Sequence, residues 1–299
     1  MTSPRPLVSI VTPSFNQGRF IRETIESVLG QGYPNIEYLV MDGGSTDETV
    51  KILREYDDRL TWVSEPDRGQ ADAINRGWRR AQGAILAYLN SDDTYLPDAV
   101  ERAVACLEEH PEAGAVYGEG YHVDEAGAIL ERYPTEPFSM ARLEETCFIC
   151  QPTVFLRREV VERAGYLDAS LQYCMDYDLW IRIARAARLV RTPHYLANTR
   201  LHADAKTVGQ ATRAHAEILR MIHRHFGRVP PSWIYAYAHA ALGPRDRRPP
   251  WTNAGFIAGL IGISLVEFLR YNRRVPLAEW ARWSAWCRHG WRRLRERGR

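Results

Sequence analysis

The sequence has 299 residues, of which 45% are hydrophobic and 25% are charged. These proportions are typical of a globular protein of one or two domains, and they exclude a disordered chain, a collagen-like chain and a multi-span membrane protein. The net charge of +2 conceals an asymmetry, because residues 270–299 contain ten arginines and two glutamates, which leaves a net charge of −6 for the rest. A mildly acidic body with a strongly basic tail indicates that the tail contacts an anionic partner.

The cysteines and the N-terminus favour a cytoplasmic protein. The five cysteines are an odd number, and Cys147 and Cys150 form a lone C-x-x-C with no second pair nearby to complete a zinc site. The only early apolar run, Leu7–Val11, is too short for the core of a signal peptide. We therefore expect free thiols in a reducing compartment.

The first third of the chain alternates strand and helix signals. Apolar residues at helical spacing predict helices between short apolar runs, and Ser45 with Glu48 has the spacing of a capping box that begins a helix ending near Tyr56. The alternation predicts an α/β fold with a mostly parallel central sheet flanked by helices, and ligands bind such sheets at the carboxyl ends of the strands. The predicted strands are Leu7–Thr12, Ile36–Met41, Leu60–Ser64 and Ile85–Leu89.

Polar side chains follow each of the four predicted strands. They are Asn16, Asp42, Asp67 and the pair Asp92 and Asp93. One or two such residues are ordinary turn formers. A full series at one edge of a sheet, with two adjacent carboxylates, indicates a bound cation or a hydrogen-bonding ligand.

Several segments, taken together and in this order, resemble an inverting family-2 glycosyltransferase with the GT-A fold. Each alone is weak, but the set covers roughly residues 7–207. The resemblance implies a Rossmann-like α/β fold in which residues 1–115 bind a nucleotide sugar and residues 116–212 bind the acceptor and supply the catalytic base. Residues 213–299 would then form a helical C-terminal extension. The segments are Val11–Asn16, Val40–Asp47, Ser64–Gln70, Asp72–Asn75, Leu89–Asp93, Asp176–Trp180 and Arg200–His202.

The resemblance implies a nucleotide-sugar site at the strand ends. Phe15, near the end of the first strand, could stack on the base, although a core position suits it too. Asp42 could accept the imide N–H of uracil, thymine or guanine, or simply form the turn, and Arg68 near a helix N-terminus suits a phosphate. The donor is expected to be a nucleotide diphosphate sugar, with UDP preferred. The expected donor-binding residues are Pro13, Phe15, Asn16, Asp42, Gly43, Asp67, Arg68, Gly69, Gln70, Asp72, Asn90, Ser91 and Asp92.

A divalent metal is expected beside the donor diphosphate. Asp92 and Asp93 offer the oxygen ligands that Mn²⁺ and Mg²⁺ prefer, and the sequence does not decide between them. The resemblance adds His202, whose imidazole would favour Mn²⁺, although a lone histidine is often structural. The expected cofactor is therefore Mn²⁺ or Mg²⁺.

Asp176 is the expected general base. It would take the proton of the acceptor hydroxyl as that oxygen attacks the anomeric carbon opposite the diphosphate, so that an α-linked donor gives a β-linked product. The same carboxylate could instead cap the predicted helix. Gln151, Asp178 and Trp180 are expected on the acceptor side, although Trp180 also suits a core position.

Two departures from the family pattern matter. Asn90 stands where the family's Asp-x-Asp motif has its first carboxylate, and Met175 stands where a glutamate often precedes the catalytic aspartate. The departure at Asn90 keeps a second hypothesis open, a non-catalytic nucleotide-sugar-binding partner in a polysaccharide assembly complex. The first hypothesis is a metal-dependent hexosyltransferase that acts on a glycan or lipid-linked acceptor in cell-surface polysaccharide or glycolipid synthesis.

The C-terminal region is expected to attach to the inner face of the cell membrane. Ala254–Val266 contains thirteen uncharged residues, which is short of the roughly 18–20 that span a bilayer. Arginines surround a helical face of aromatic and apolar residues, a pattern typical of an anionic membrane surface, although a solvated tail or a dimer contact fits as well. Nucleic acid is not expected, because the body is acidic. The predicted face comprises Trp280, Trp283, Cys287, Trp291 and Leu294.

Overall fold

The computed structural model describes residues 5–202, 210–243 and 253–297, with the side chains of 253–254 and 289–297 left out. The described residues form two compact units. The first lies within Met1–Leu143 and Cys147–Ala205, and the second within Glu144–Thr146 and Lys206–Arg299. Both predicted halves of the GT-A domain lie mainly in the first unit.

Within the described residues, nine strands form a single mixed sheet in the order β3-β2-β1-β4-β8-β6-β9-β5, with β7 paired to β6. The four strands β3, β2, β1 and β4 are mutually parallel, as predicted. Beyond them the sheet is mixed, because β8 runs antiparallel to both β4 and β6. The strands are Val8–Ser14 (β1), Ile36–Asp42 (β2), Thr61–Ser64 (β3), Ile85–Tyr88 (β4), Thr94–Tyr95 (β5), Ala113–Val123 (β6), Ile129–Arg132 (β7), Phe155–Arg157 (β8) and Arg188–Arg200 (β9).

Helices cover the sheet because their apolar stripes face it. Ile21, Ile25 and Val28 are buried along one face of the first helix. Gly77 lets the third helix approach β1 closely, since a Cβ atom there would lie 2.5 Å from Cγ1 of Val11. This helix therefore begins close to the ends of the parallel strands. The helices of this part are Ile21–Leu29 (α1), Thr49–Arg54 (α2), Gln70–Arg80 (α3), Ala99–Glu109 (α4), Met140–Glu145 (α5), Arg158–Ala164 (α6) and Met175–Ala186 (α7).

The described part of the second unit is helical, as expected for residues 213–299. Trp283 is buried there, with its ring 6.1 Å from that of Phe268 and its Nε1 donating to the hydroxyl of Tyr235. The helices are Ala211–Phe226 (α8), Pro231–Leu242 (α9), Asn253–Glu267 (α10), a π-helical turn Phe268–Asn272, and Leu277–Arg297 (α11).

Two expectations for the C-terminal region change. The predicted aromatic face of α11 is wrong at Trp283, because that ring packs inside the unit, while the side chains of Trp291 and Leu294 lie outside the described residues. Among the described residues, one 18-residue window, Gly255–Asn272, is long and apolar enough to cross a bilayer, with a mean hydropathy of 1.2 and 28% of the window buried. This window is longer than the uncharged stretch of the sequence because it continues past Val266 through Glu267 and Arg270.

Candidate active site

The loop after β2 is organised by Asp42, whose side chain is buried. Its Oδ2 accepts hydrogen bonds from the backbone N–H groups of Gly44 (3.1 Å) and Ser45 (2.9 Å) and from the hydroxyl of Ser64 (2.6 Å). Among the described residues, its Oδ1 accepts a hydrogen bond only from the Ser45 hydroxyl, which leaves a lone pair that a ligand could use. Asp42 is thus the turn former that the sequence allowed, and one of its oxygens can still accept a hydrogen bond from a ligand.

The predicted capping box is wrong. The helix α2 begins at Thr49, and Glu48 makes no side-chain cap hydrogen bond. Ser45 is engaged elsewhere: its hydroxyl oxygen accepts the N–H of Asn16 at 2.7 Å. The Oδ1 atom of Asn16, a residue with a φ of 52°, accepts the N–H of Thr46 at 2.9 Å. These contacts fasten the loop after β1 to the loop after β2.

Phe15 projects from the end of β1, with 60% of its surface exposed. This exposure rules out the core position that the sequence allowed. Pro13 lies inside β1, where it is buried and paired in register with Met41 of β2. The end of β1 therefore presents an aromatic face to solvent above a buried strand.

The segment after β3 enters α3 through Gly69, which has a φ of 109°. The N–H of Gly69 donates to Oδ1 of Asp67 at 2.7 Å. A Cβ atom at Gly43 would lie 2.8 Å from Oδ2 of Asp67, so the missing side chain at position 43 leaves room for this carboxylate. Glycines at 43 and 69 thus bring the second and third loops together.

Asp72 is a buried ion-pair centre at the start of α3. Its carboxylate contacts Arg68 and Arg76, each at 3.0 Å, and the hydrogen bond from Arg68 holds the pKa of Asp72 below its usual value. The Arg68 side chain is 79% exposed. Asp72 therefore positions an outward-facing guanidinium, and its own carboxylate is not presented to a ligand.

A chain of amide side chains joins α3, the end of β4 and the 3₁₀ turn Gln151–Thr153. Nε2 of Gln70 donates to Oδ1 of Asn90 at 2.6 Å, and Nδ2 of Asn90 donates to Oε1 of Gln151 at 3.0 Å. Nε2 of Gln151 in turn donates to the carbonyl of Tyr88 at 3.0 Å. The amide at position 90 thus fastens three elements through hydrogen bonds that a carboxylate could not all make.

Asp92 and Asp93 occupy different environments although they are neighbours in sequence. Asp93 is buried; its Oδ1 accepts the N–H of Arg200 at 3.0 Å and its Oδ2 lies 3.3 Å from Nδ2 of Asn90. Burial, together with the charge of Asp92, raises the pKa of Asp93 well above its usual value. The side chain of Asp92 is 22% exposed. Ser91, between Asn90 and Asp92, is buried.

The Asp92 carboxylate pairs with His202, with 3.0 Å between Oδ2 and Nε2. The imidazole is buried, and its Nδ1 has no hydrogen-bond partner in the described structure. A carboxylate oxygen beside an imidazole nitrogen suits Mn²⁺ or a similar divalent cation. The described residues contain no group of three or more His, Cys, Asp or Glu side chains that could hold a metal, so a metal here would take its other ligands from a diphosphate and water.

Asp176 lies in the first turn of α7, and burial raises the pKa of its carboxyl to about 6. The N-cap of this helix is Cys174, which excludes the capping role for Asp176. The pKa of Tyr88, at the end of β4, is raised by burial and then by the negative charges of Asp176 and Asp93. Both carboxylates therefore lie within electrostatic range of the same strand end.

Two predicted acceptor residues are not available to an acceptor. Trp180 has no exposed surface and lies in the core. Asp178 is 1% exposed, and its Oδ2 accepts a hydrogen bond from Nε of Arg182 at 2.8 Å. Arg182 also donates to the carbonyls of Ala164 and Tyr166, so Asp178 helps to hold the end of α6. Both predictions are corrected, because α7 turns these side chains into the protein.

Sequence reasoning missed two buried residues that hold the site together. Nε of Arg200 donates to the carbonyl of Asp92 at 3.0 Å, and its guanidinium contacts the Glu23 carboxylate. Asn75 clamps Leu167 by accepting its N–H (3.0 Å) and donating to its carbonyl (2.8 Å). Each lies in a family-like segment, but no residue type or spacing there indicated these contacts.

Residues 9–165 match the family model described as Glycosyl transferase family 2. An uncharacterized glycosyltransferase of Rickettsia prowazekii is 30% identical over 210 residues, which are 68% of this chain and 66% of that protein. The putative teichuronic acid biosynthesis glycosyltransferase TuaG of Bacillus subtilis is 36% identical over 166 residues, which are 53% of this chain and 65% of TuaG. The chain thus spans just under two thirds of the length of each of these relatives.

Solved structures share the fold. S. aureus TarS 1–349 in complex with UDP superimposes with a TM-score of 0.60 at 18% identity, covering 98% of this chain and 92% of that one. The mannosyltransferase PcManGT from Pyrobaculum calidifontis, in complex with GDP-Man and Mn²⁺, gives a TM-score of 0.60 at 19% identity, covering 96% and 85%. The architecture is that of the GT-A glycosyltransferases. Because the family model matches more than half of the sequence, the chain belongs to glycosyl transferase family 2.

Proposed function

We propose that the protein is a metal-dependent, inverting hexosyltransferase that moves a sugar from a nucleotide diphosphate sugar to a hydroxyl group. The observation that carries this proposal is the pairing of two features at the end of β4. Asp92 lies beside His202 in a metal-compatible arrangement, and Asp176 has a pKa of about 6. A carboxylate with a pKa near neutrality suits a general base.

The donor would bind across the ends of the parallel strands. Phe15 would stack on the base, and the free lone pair of Asp42 Oδ1 would accept an imide N–H, which fits uracil, thymine or guanine and is compatible with the preferred donor, UDP. Arg68 would contact the diphosphate near the N-terminus of α3. The TarS complex with UDP and the PcManGT complex with GDP-Man support a nucleotide diphosphate donor. Asn16, Gly43, Asp67, Gly69, Gln70, Asn90 and Ser91 would shape this site.

Asp92 and His202 would hold the metal, and Asp93 would instead anchor the backbone of Arg200. A bound Mn²⁺ or Mg²⁺ supplies positive charge that stabilises the leaving diphosphate. The Mn²⁺ of PcManGT supports this expectation. The exposure of Asp92 and the burial of Asp93 favour this division of roles.

Asp176 would accept the proton of the acceptor hydroxyl as the hydroxyl oxygen bonds to the anomeric carbon. The bond between that carbon and the diphosphate oxygen breaks in the same displacement, and the diphosphate leaves with the electron pair. One in-line displacement inverts the anomeric configuration. Gln151, fixed by Asn90, would lie on the acceptor side.

The acceptor would be a glycan or a lipid-linked glycan in cell-surface polysaccharide or glycolipid synthesis. The role named for TuaG, teichuronic acid biosynthesis, supports this class of product. The enzyme would work in the cytoplasm at the inner face of the membrane, with the helical C-terminal region, residues 213–299, as its attachment.

Calorimetry with the purified chain tests the proposal. The protein would be titrated with the diphosphates of uridine, thymidine and guanosine and with their common sugars, in Mn²⁺ and again in excess chelator. We expect metal-dependent binding of one nucleotide class, lost in Asp92→Ala, followed by release of that diphosphate when an acceptor glycan is added. If folded protein binds no nucleotide in the presence of metal, the transferase proposal is overturned. Binding with no turnover on any acceptor would favour the non-catalytic partner instead.

A further inference from the structure

The helix α10 and the turn after it expose a continuous apolar stripe. Its exposed positions recur every three or four residues, the spacing of one helical face. Val266 is 59% exposed and Leu269 is 52% exposed. A contiguous exposed apolar surface can mark a site of interaction with a protein or a membrane. This outer stripe consists of Gly255, Ala258, Gly262, Val266 and Leu269.

The polar side chains of the same helix point the other way. Between residues 255 and 267 the only polar side chains are those of Ser264 and Glu267, and both are buried, at 0% and 6% exposure. A helix at a water-facing surface has the opposite arrangement, with its polar residues outside. A helix whose exposed face is wholly apolar suits an apolar environment.

Positive charge and an aromatic ring adjoin one end of the outer stripe. Arg270 is 64% exposed at its side chain, and Arg273 and Arg274 are exposed as well. The nearby carboxylates of Glu267 and Glu279 are buried, so the charge presented to solvent there is positive. Trp280 is half exposed and Leu277 is 87% exposed. Arginine and tryptophan beside apolar surface are typical of the headgroup region of an anionic bilayer.

We propose that the outer stripe, with Arg270, Arg273, Arg274 and Trp280, docks the second unit on an anionic lipid bilayer as a helix lying in the interface. The proposal rests on the membrane attachment proposed above and assigns it to this surface, which does not include Trp283. The helix lies flat because its opposite face is packed within the unit, with Phe256, Leu260 and Glu267 buried there. Spanning the bilayer would place the Glu267 carboxylate in lipid.

Vesicle sedimentation of the full chain tests the proposal. The probes are vesicles of phosphatidylcholine alone and of phosphatidylcholine with phosphatidylglycerol. The variant Val266→Glu/Leu269→Glu should bind the mixed vesicles at least about tenfold more weakly than the wild type. The matched control Ile129→Glu/Leu130→Glu makes the same change at two similarly exposed positions of β7, 60% and 56% exposed, and should bind like the wild type. The variant Arg270→Gln/Arg273→Gln/Arg274→Gln should lose the preference for phosphatidylglycerol.

Circular dichroism and turnover with a soluble acceptor would accompany each variant, since none of these residues belongs to the proposed active site. Equal vesicle binding by the stripe variant and the wild type would overturn the proposal. So would a wild type that is dimeric without vesicles and becomes monomeric in the stripe variant, since the stripe would then bind a second copy. If turnover is absent from every protein while vesicle binding depends on the stripe, the transferase proposal fails and this one stands.

Discussion

The carboxylates of the loop after β2 and of the start of α3 differ from those beside the end of β4 in how their negative charge is balanced. Asp42 and Asp72 are buried but accept hydrogen bonds from backbone N–H groups, hydroxyls or arginines. Although burial opposes it, hydrogen bonds from Thr49 and Gly18 hold the pKa of Asp47 below its usual value. Beside β4, burial instead raises the pKa values of Asp93 and Asp176.

For Asp176 this difference marks a residue that can react, whereas Asp93, whose pKa is raised as well, accepts the N–H of Arg200 and helps to build the site. A carboxylate surrounded by donors is fixed in its charge and position, which suits a loop that must keep its shape. A buried carboxylate with few donors gains a proton readily and gives it up near neutral pH, which suits proton transfer. Perturbed pKa values collect at functional sites for this reason, and the region of Asp176 is where we expect chemistry.

The largest effect should come from removing the base. Asp176→Asn should lower kcat by about 10²- to 10⁴-fold, because the amide cannot accept the acceptor proton. In the wild type the carboxyl must be ionised to act, so kcat/KM should fall as the pH drops below about 6. A pH profile of steady-state rates measures both. A variant that keeps the wild-type rate and acid limb would remove Asp176 from catalysis.

The next effect separates the two adjacent aspartates. Asp92→Ala should weaken Mn²⁺ binding by more than the roughly 10- to 100-fold that loss of an outer-shell partner causes, because it removes the partly exposed carboxylate beside His202. Asp93→Asn should have a smaller effect, because its amide oxygen can still accept the N–H of Arg200. Calorimetric Mn²⁺ titration in the presence of the bound nucleotide measures both. The reverse order of affinities would assign the metal to Asp93.

The raised pKa of Asp176 should also make the free energy of unfolding depend on pH. Its carboxyl binds a proton more tightly in the folded state, with a pKa of about 6, than at its ordinary value of 3.8. The stabilisation from that proton is complete below the ordinary pKa and is lost as the pH rises through about 6. Asp176→Asn stays neutral, so it should be more stable than the wild type above pH 6, by up to about 3 kcal/mol, an upper limit because the residue is partly exposed.

Urea unfolding at several pH values checks this expectation. The difference between variant and wild type should shrink toward zero on acidification. The matched control is Asp72→Asn, which removes a carboxylate with a lowered pKa and two arginine partners, and should be destabilising at neutral pH. A pH-independent difference in the free energy of unfolding between Asp176→Asn and the wild type would mean that burial does not raise the pKa of this carboxyl.

The sequence predicted the parallel strands within two residues, because each apolar run is bounded by turn residues that end a strand. It could not predict the partners of single polar side chains. Ser45 has the spacing of a cap, but its hydroxyl donates to Asp42 in the same loop and accepts the N–H of Asn16 from the loop after β1. Asp92 and Asp93 differ because their side chains have distant partners: the Asp93 carboxylate accepts the backbone N–H of Arg200, 107 residues away, and the Asp92 carboxylate pairs with His202. By its residue type Trp180 suits either a core position or the acceptor side of α7, and only tertiary packing decides between the two.

The smallest effect concerns Asn90, where the family pattern has a carboxylate. Asn90→Asp removes the donor to Oε1 of Gln151 and places a second carboxylate beside Asp93, so the free energy of unfolding should fall by about 1–3 kcal/mol at neutral pH. Asn90→Asp keeps the oxygen that accepts a hydrogen bond from Gln70. Asn90→Ala removes this oxygen as well and is therefore the matched control. Protonation of the new carboxyl restores a donor, so the loss should diminish at acid pH. If Asn90→Asp is as stable as the wild type without metal at neutral pH, the amide chain is not what holds these three elements together.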